Sequence, residues 1–193
     1  MAAERKRVSG GAGELSILFE ISQILDSSLD LRTVVEPVLE AMTVSLGLKF
    51  ATLTLLNRQT GDISIESAYG LSASQKQRGR YRLGEGVTGK VIQTGKPAIV
   101  PKISEEPHFL DKTRARKGLA DGEFSFICVP IKLGREVVGA LSADRPATAP
   151  EALQEDARIL SVVASLIAQA VKLRQSAQEE RERLVEENLR LQE

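Results

Sequence analysis

Apolar residues near the start of the chain recur at helical spacing, so residues 14–26 are predicted to form an amphipathic helix. A second apolar pattern ends near Gly47, and Ser28 or Asp30 can cap its start. Pro37 lies inside this second pattern, where its ring removes a donor and clashes with the preceding turn. Pro37 therefore either kinks the helix or moves its start later; we keep the helix and expect a distortion. The apolar face of the first helix carries Leu15, Leu18, Phe19 and Leu25.

Strand patterns follow. Residues 50–56 and 63–69 are rich in apolar and β-branched positions around Gly61, which predicts a hairpin, and residues 125–144 predict a second hairpin around Gly134. Residues 96–100 predict a further strand, residues 87–94 a short helix that stops at Gly95, and residues 71–80 a loop or short helix. Short turns imply antiparallel pairing. The predicted fold class is α+β, an antiparallel sheet of five or six strands with helices against one face.

Nothing breaks the helical pattern from about residue 150 to residue 193. Its first half is apolar enough to pack on the sheet, and its second half, from about Arg174, is strongly charged. A heptad can be laid over it, but its middle holds charged residues, so the tail is either a solvated helix or a parallel dimeric coiled coil. Asn188 favours the dimer because a core Asn can set register. The two seam positions are Leu160, Ile167, Arg174, Arg181 and Asn188, and Val163, Ala170, Ala177, Leu184 and Leu191.

The composition excludes several classes of protein. Lys plus Arg and Asp plus Glu number 26 each, so bulk charge predicts no contact of this chain with nucleic acid or membrane. The single Cys excludes an internal disulfide framework, and no apolar run approaches the ~20 residues of a membrane span. With no visible signal peptide, the expected location is cytoplasmic. Residues 1–13 are polar and Gly/Ala-rich and are predicted to be disordered.

Two local signatures and the loop between them form the centre of the sequence. Gly84, Gly86 and Gly89 allow a tight turn that opens the short helix. The second hairpin supplies two strands, and residues 101–124, which we call the flap, lie between the signatures with a higher fraction of Lys and Arg than the chain average. A sheet, a helix and a flap with these basic side chains would form a small-molecule pocket.

Basic side chains are the main binding candidates. An Arg guanidinium matches a carboxylate or phosphate with two parallel hydrogen bonds, so one or two of these facing inward would suit a small dicarboxylate or a phosphate. The alternative for each is a solvated surface charge. The candidates are Arg80, Arg82, Lys102, Arg114 and Arg116, together with His108 and Phe109 of the flap and Cys128 of the second hairpin.

Catalytic and metal chemistry find little support. Cys128 lies in an apolar strand, which favours a buried structural thiol over a reactive one. His108 is the only histidine, so a metal site would need carboxylates alone, and it is either a surface residue or a hydrogen-bond donor to a bound anion. The glycine spacing matches a dinucleotide fingerprint, but no buried strand of a βαβ unit precedes it, so we assign it to turn geometry. The expected protein is not an enzyme and holds no cofactor or metal.

The Gly84-Glu85-Gly86-Val87-x-Gly89 turn and the Val129-Pro130-Ile131…Gly139-x-Leu141 hairpin resemble a GAF domain, a sensory relative of PAS, over about residues 14–172. The spaced segments Arg80-Tyr81-Arg82, Ile103-Ser104-x-x-Pro107-x-Phe109 and Phe126-Ile127-x-Val129 are similar to the N-terminal region of the Nif-specific regulatory (NifA) family. This resemblance implies a sensory domain over residues 14–172. Residues 173–193 would then be a signalling helix toward a missing downstream domain.

The resemblance implies a function for the whole protein. NifA-type activators of nitrogen-fixation genes carry an ATPase that acts on sigma-54 polymerase and a DNA-binding domain, so those contacts would belong to missing domains. It implies 2-oxoglutarate as the leading effector, a homodimer through the N- and C-terminal helices, and NifL or a PII-type protein as possible partners. The alternatives are a ligand-free GAF platform for dimerisation and docking, and a divergent GAF reductase, although a GAF-type methionine sulfoxide reductase needs more than one cysteine.

Overall fold

The computed structural model describes residues 11–117 and 122–191. Its helices are α1 (Gly11–Asp26), α2 (Leu31–Leu46), α3 (Ala73–Arg78), α4 (Gly86–Thr94) and α5 (Pro150–Leu191), with a 3₁₀ turn at Ile103–Glu105. Its strands are β1 (Phe50–Leu56), β2 (Asp62–Tyr69), β3 (Arg80–Arg82), β4 (Ala98–Val100), β5 (Phe124–Leu133) and β6 (Glu136–Pro146).

The strands form one sheet of six in the order β3-β2-β1-β6-β5-β4, and every neighbouring pair is antiparallel. The β1–β2 and β5–β6 hairpins meet at its centre, where β1 pairs with β6 and Phe50 lies opposite Asp144. The predicted antiparallel α+β architecture is confirmed, with six strands. The sixth is β3, whose three residues are too short for a periodicity argument to find.

Helices cover both faces of the sheet, although the sequence predicted helices against one face. Side chains alternate along β5, so Ile127 and Val129 pack into the large core beneath α1, α2 and α5, whereas Phe126 and Cys128 belong to a smaller cluster with α4. β5 is therefore apolar on both faces. The short helix opened by the glycine turn covers the second face.

Several element boundaries differ from the prediction. α1 begins at Gly11, so residues 11–13 are helical where a disordered lead-in was predicted, and residues 1–10 of that prediction lie outside the described residues. Residues 73–78 form the short helix α3, which Ser72 and Gln75 close with reciprocal capping hydrogen bonds.

The second predicted helix, α2, is confirmed as one helix with Pro37 inside it, so Pro37 does not delay its start. Asp30 is the N-cap: its side chain accepts from the backbone N–H of Arg32. Gly47 ends the helix in a left-handed conformation with φ of 68°.

The first half of α5 packs against the sheet with residues that the heptad had assigned to a dimer seam. Leu160 and Val163 are fully buried, and Ile167 and Ala170 are nearly so. These four belong to the core of the domain, so the predicted seam is wrong over this half of the helix. Its apolar spacing is equally compatible with a helix packed on a sheet, which is why the pattern alone could not separate the two.

Arg174, a predicted seam residue, instead joins α5 to the end of α1. Its Nη2 donates to the carbonyl of Leu25 at 2.7 Å and to that of Ser28, and its Nε donates to the carbonyl of Leu29 at 2.8 Å. These carbonyls lie at and just beyond the last turn of α1, where helical partners are absent. Arg174 therefore marks the point where α5 leaves the domain, since residues 175–191 are all exposed.

The two halves of α5 should respond differently to the same substitution. Leu160→Ala should lower the free energy of unfolding by about 2–5 kcal/mol, because it leaves a cavity under the helix. Leu189→Ala, at a side chain that is 61% exposed, changes helix propensity by the same amount and should cost less than about 0.5 kcal/mol. Urea unfolding of the two variants checks this, and equal losses would contradict the docking of α5 described above.

Candidate ligand-binding cavity

The second face of the sheet is covered by α4 and the flap. The glycine turn that opens α4 has the predicted conformation: Gly84 and Gly86 have φ of 80° and 64°, which only glycine adopts without strain. Gly89 is needed for space instead, because a Cβ there would lie 2.5 Å from the carbonyl oxygen of Arg82. The turn thereby brings α4 close to β3. Beneath it lies an apolar cluster that includes Ile63, Val91, Val100, Phe126 and Cys128.

A small cavity of about 30 Å³ lies between the sheet, α4 and the flap. At roughly 10–15 Å³ for each water, this space holds about two water molecules. Its wall is polar where the sheet contributes hydroxyl groups: Thr52 Oγ1 and Ser142 Oγ are 2.6 Å apart. Aromatic rings and charged groups complete the lining, which includes Phe50, Tyr81, Phe109, Asp111, Arg116, Phe126 and Asp144.

Arg116 is the flap cation that enters this cavity. Its Nε donates to Asp144 Oδ2 at 2.6 Å, and its Nη1 donates to Asp111 Oδ1 at 2.7 Å. The guanidinium carbon lies 4.4 Å from the ring centroid of Phe109 and 5.9 Å from that of Phe126. Only 15% of the side chain is exposed. Arg116 is thus bound to two carboxylates and two ring faces, so the cavity is not net positive.

Asp144 is the buried partner of Arg116. It is 3% exposed, at the end of the apolar run of β6, and burial raises the pKa of its carboxyl to about 6 although Arg116 acts in the opposite direction. Asp111 belongs to the flap and is half-buried. The two carboxylates therefore lie on different elements, Asp144 on a strand of the sheet and Asp111 on the flap.

Further contacts hold the flap closed. Arg78 at the end of α3 donates through Nη2 to the carbonyl of Thr113 at 2.9 Å, and Lys112 forms an ion pair with Glu85 in the glycine turn. The hydrogen bond from Lys112 lowers the pKa of Glu85. Asp111 and Arg114 have φ of 42° and 55°, a left-handed conformation that costs a non-glycine residue about 1 kcal/mol or more. The closed flap is thus tied at its rim and strained at two positions.

The other predicted binding residues lie apart from the cavity. Arg80, Arg82, Lys102, His108 and Arg114 are exposed. Two of these have partners of their own: Lys102 Nζ lies 2.9 Å from Glu105 Oε1, and the backbone N–H of Arg82 donates to Glu85 Oε2 at 2.7 Å. Of the eight predicted residues, the fold brings Arg116 and Phe109 together in the cavity.

Cys128 lies in the apolar cluster beneath α4 and is fully buried. Burial raises the pKa of its thiol to about 12, although a hydrogen bond with Thr88 acts in the opposite direction. The sulfur is therefore protonated at neutral pH and poorly suited to nucleophilic chemistry. In residues 11–117 and 122–191, no group of three or more His, Cys, Asp or Glu side chains is placed to hold a metal ion.

A family model for the GAF domain matches residues 28–172. The chain belongs to the GAF family. This GAF domain is 42% identical over 180 residues to a Nif-specific regulatory protein of Herbaspirillum seropedicae, covering 92% of this chain and 33% of that protein. It is 39% identical over 178 residues to the nitrogen fixation protein VnfA of Azotobacter vinelandii, covering 92% of this chain and 34% of that protein. The chain thus spans about a third of the length of these relatives.

The fold agrees with solved GAF structures. The crystal structure of the A. Aeolicus nlh2 GAF domain in an inactive state superposes with a TM-score of 0.75 at 27% identity, covering 84% of this chain and 98% of that chain. The resemblance of the sequence to GAF domains and to Nif-specific regulators is confirmed, and it supports a regulatory sensory role. No helix among the described residues of this GAF domain is both long and apolar enough to span a membrane.

Sequence reasoning missed the carboxylates and hydroxyls of the GAF cavity. Asp144 and Asp111 did not enter the candidate set because the search was for cations that would receive an anion. One signal was available for Asp144: an acidic residue directly follows the mostly apolar run from Gly139 to Ala143, in the second strand of the predicted hairpin. A carboxylate at such a place needs a cation.

The burial of Asp144 predicts a pH dependence of stability. Its pKa of about 6 in the folded chain exceeds the usual value of 3.8, so the folded chain binds more protons between these values than the unfolded chain does. The contribution of Asp144 to the free energy of unfolding should therefore fall as pH rises through this window, by on the order of 3 kcal/mol at ~1.36 kcal/mol for each pKa unit. Denaturant unfolding of wild type and Asp144→Asn at stepped pH from about 4 to 7 measures this as the difference between the two proteins.

Glu123→Gln is the matched control for this measurement. Hydrogen bonds from Ser104 lower the pKa of Glu123, so its contribution to stability is lost as pH falls. The wild-type-minus-variant difference should thus rise with pH for Glu123 and fall with pH for Asp144. A flat or rising difference for Asp144→Asn would contradict a buried, partly compensated carboxylate.

Proposed function

We propose that this chain is the sensory domain of a NifA-type activator of nitrogen-fixation genes, and that it binds a small anionic metabolite under the flap. The similarity to Nif-specific regulators supports the role in nitrogen-fixation genes. The observation that carries the site is Arg116, a cation held in the cavity by one carboxylate of the sheet and one of the flap. In the whole protein, a downstream ATPase would act on sigma-54 polymerase and a further domain would bind DNA in the cytoplasm.

The leading effector is 2-oxoglutarate. One of its carboxylates would replace Asp111 on Arg116, since that exchange keeps the guanidinium paired and leaves Asp144 in place. The hydroxyls of Thr52 and Ser142 on the cavity wall can donate to the remaining oxygens. A cavity of about 30 Å³ is too small for this molecule, so binding requires the flap to move outward. The strained backbone at Asp111 and Arg114 and the rim contacts of Lys112 and Arg78 favour a flap with two positions.

The small size of the cavity favours a second candidate, a ligand-free GAF domain that serves as a platform for dimerisation and docking. In this reading Arg116 is a permanent structural cation that neutralises Asp144. NifL or a PII-type protein would then act on the outer surface of the domain. The two candidates differ in whether any metabolite displaces Asp111.

Both proposed functions include a homodimer through the N- and C-terminal helices. The seam proposed for this dimer differs from the predicted heptad. At about 100° per residue, six apolar residues of α5 fall within about 60° of one another on the helix surface. In order they are Val162, Leu166, Leu173, Ala177, Leu184 and Leu191. We call these six residues the α5 stripe.

The α5 stripe runs from the domain into the tail, and the charged Glu180 also falls within its arc. Leu173 and Leu191 are 71% and 79% exposed. α1 lies beside α5 and adds Leu15 and Phe19, which are 69% and 65% exposed. Since residues 175–191 are all exposed in the part of the chain that the structure describes, a second copy of α5 is the partner that would stabilise them as a helix.

Calorimetric titration with 2-oxoglutarate tests the sensor. Arg116→Gln should weaken binding about 10- to 100-fold, the loss of a charge-assisted hydrogen-bond pair, while Asp111→Asn should strengthen binding because it removes the competing carboxylate. Arg114→Gln, at an exposed flap arginine, is the control and should bind as wild type does. Absence of any binding by folded wild-type protein would favour the docking platform.

Sedimentation velocity over a range of concentrations tests the dimer. Leu173→Glu and Leu184→Glu place charges in the α5 stripe and should each shift the protein to monomer. Leu189→Glu alters a side chain of similar exposure on the opposite side of the same helix and should leave the dimer intact. Dimers that persist in both stripe variants, or a wild type that is monomeric at every concentration, would exclude this seam.

A further inference from the structure

Two consecutive residues of β6 are held in ion pairs with different layers of the domain. Asp144 pairs with Arg116 of the flap, and Arg145 pairs through Nη1 with Asp156 in the second turn of α5. Asp144 is 3%, Arg145 9% and Asp156 0% exposed. Because successive side chains of a strand point to opposite faces, Asp144 reaches the cavity and Arg145 reaches the helical layer.

The two pairs share one peptide unit, so their geometries are linked. A rotation of the β6 backbone that carries Asp144 after a moving Arg116 also turns Arg145 away from Asp156. The Arg145–Asp156 pair has little access to solvent, since Arg145 is 9% and Asp156 0% exposed. Loss of Arg116 would leave the buried carboxylate of Asp144 without its guanidinium partner, which is strongly unfavourable. Such pairs have discrete arrangements rather than a continuous range, as a switching element requires.

The C-terminal end of β6 is connected to β1 and to the flap by hydrogen bonds, and to α5 by a short segment of chain. The backbone carbonyl of Asp144 accepts from the N–H of Lys49 at 2.7 Å, just before β1. Beyond Pro146, three residues lead to Pro150 at the start of α5, and the first of them, Ala147, donates to the carbonyl of Glu123 at 2.9 Å. The side chain of Glu123 in turn accepts from Ser104 Oγ at 2.6 Å, near the other end of the flap. A displacement of β6 at this point would therefore be passed to α5 through this short connection.

We propose that Asp144 and Arg145 are the coupling element between the flap and α5, so that displacement of Arg116 weakens the Arg145–Asp156 pair and loosens the first turns of the helix. This regulatory role rests on the proposed function of the cavity as an effector site. The coupling is a property of the ligand-free protein, however, and it is reciprocal: loss of the Arg145–Asp156 pair loosens the flap.

Hydrogen exchange of the ligand-free protein, followed by mass spectrometry of peptides, tests the coupling in both directions. Arg116→Gln should speed amide exchange in residues 150–160 by about fivefold or more, and Asp156→Asn should do the same in residues 101–117. In each of these segments, the increase in exchange rate of the double variant should be smaller than the product of the two single-variant increases, because both substitutions act on one element. If Arg116→Gln fails to fold, Arg116→Lys replaces it, since lysine keeps the charge but cannot reach both carboxylates.

Lys112→Gln is the control, since it removes the flap's ion pair with Glu85 at the rim without touching β6. It should speed exchange in the flap and leave residues 150–160 as in wild type. If Arg116→Gln or Arg116→Lys speeds amide exchange in the flap but leaves exchange in residues 150–160 unchanged, the proposed coupling is wrong. Failure of 2-oxoglutarate to bind would instead count against the effector proposal alone, because no ligand enters this experiment.

Discussion

A buried carboxylate that needs a cation determines the arrangement on the functional face of this domain. Asp144 lies at the centre of the sheet, opposite Phe50 on one side and Phe126 on the other, where an unpaired charge would be strongly unfavourable. Arg116 supplies the cation, and to do so the flap must fold back over the sheet. The position of the flap, the edge-on contact of Phe109 with Phe126 and the shape of the cavity all follow from this requirement.

The two faces of the sheet divide structural and functional roles between them. One face carries the large apolar core beneath α1, α2 and α5, which supplies most of the buried surface. The other face has a smaller apolar cluster beneath α4, and its remainder is polar and covered only by a loop. A loop closed by ion pairs and rim hydrogen bonds opens more easily than a helix closed by apolar packing. Movement is therefore expected on the flap side of the sheet, and the helical side is expected to remain intact.

The fold was largely predictable from the sequence, and the site only in part. Periodicity found the two long N-terminal helices, both hairpins and the long last helix, because each is long enough to show its period. It missed β3, whose three residues pair only with β2, and it could not tell that Leu160 and Ile167 face a sheet rather than a second helix. Phe109 and Arg116 were both among the predicted flap residues, but no sequence motif placed them side by side.

The rest of the site depends on contacts between residues far apart in the chain. Arg114 and Arg116 are separated by one residue, yet the left-handed turn at Arg114 leaves one exposed and buries the other. The pairing of Arg116 with Asp144 joins the flap to the second strand of the next hairpin, and no local pattern encodes it. From this single sequence, ion pairs between distant residues were harder to predict than the secondary structure.

The anchorage of α5 by Arg174 gives the exposed tail a mechanical role. Up to that residue the helix is fixed to the sheet and to the end of α1, whereas the described residues beyond it, 175–191, are all exposed. The free part extends roughly 25 Å at ~1.5 Å per residue, so a tilt of about 10° at its base moves its far end by ~4 Å. Residues 175–191 would thus act as a lever whose fulcrum is Arg174, so that a small tilt of α5 becomes a larger displacement at its far end.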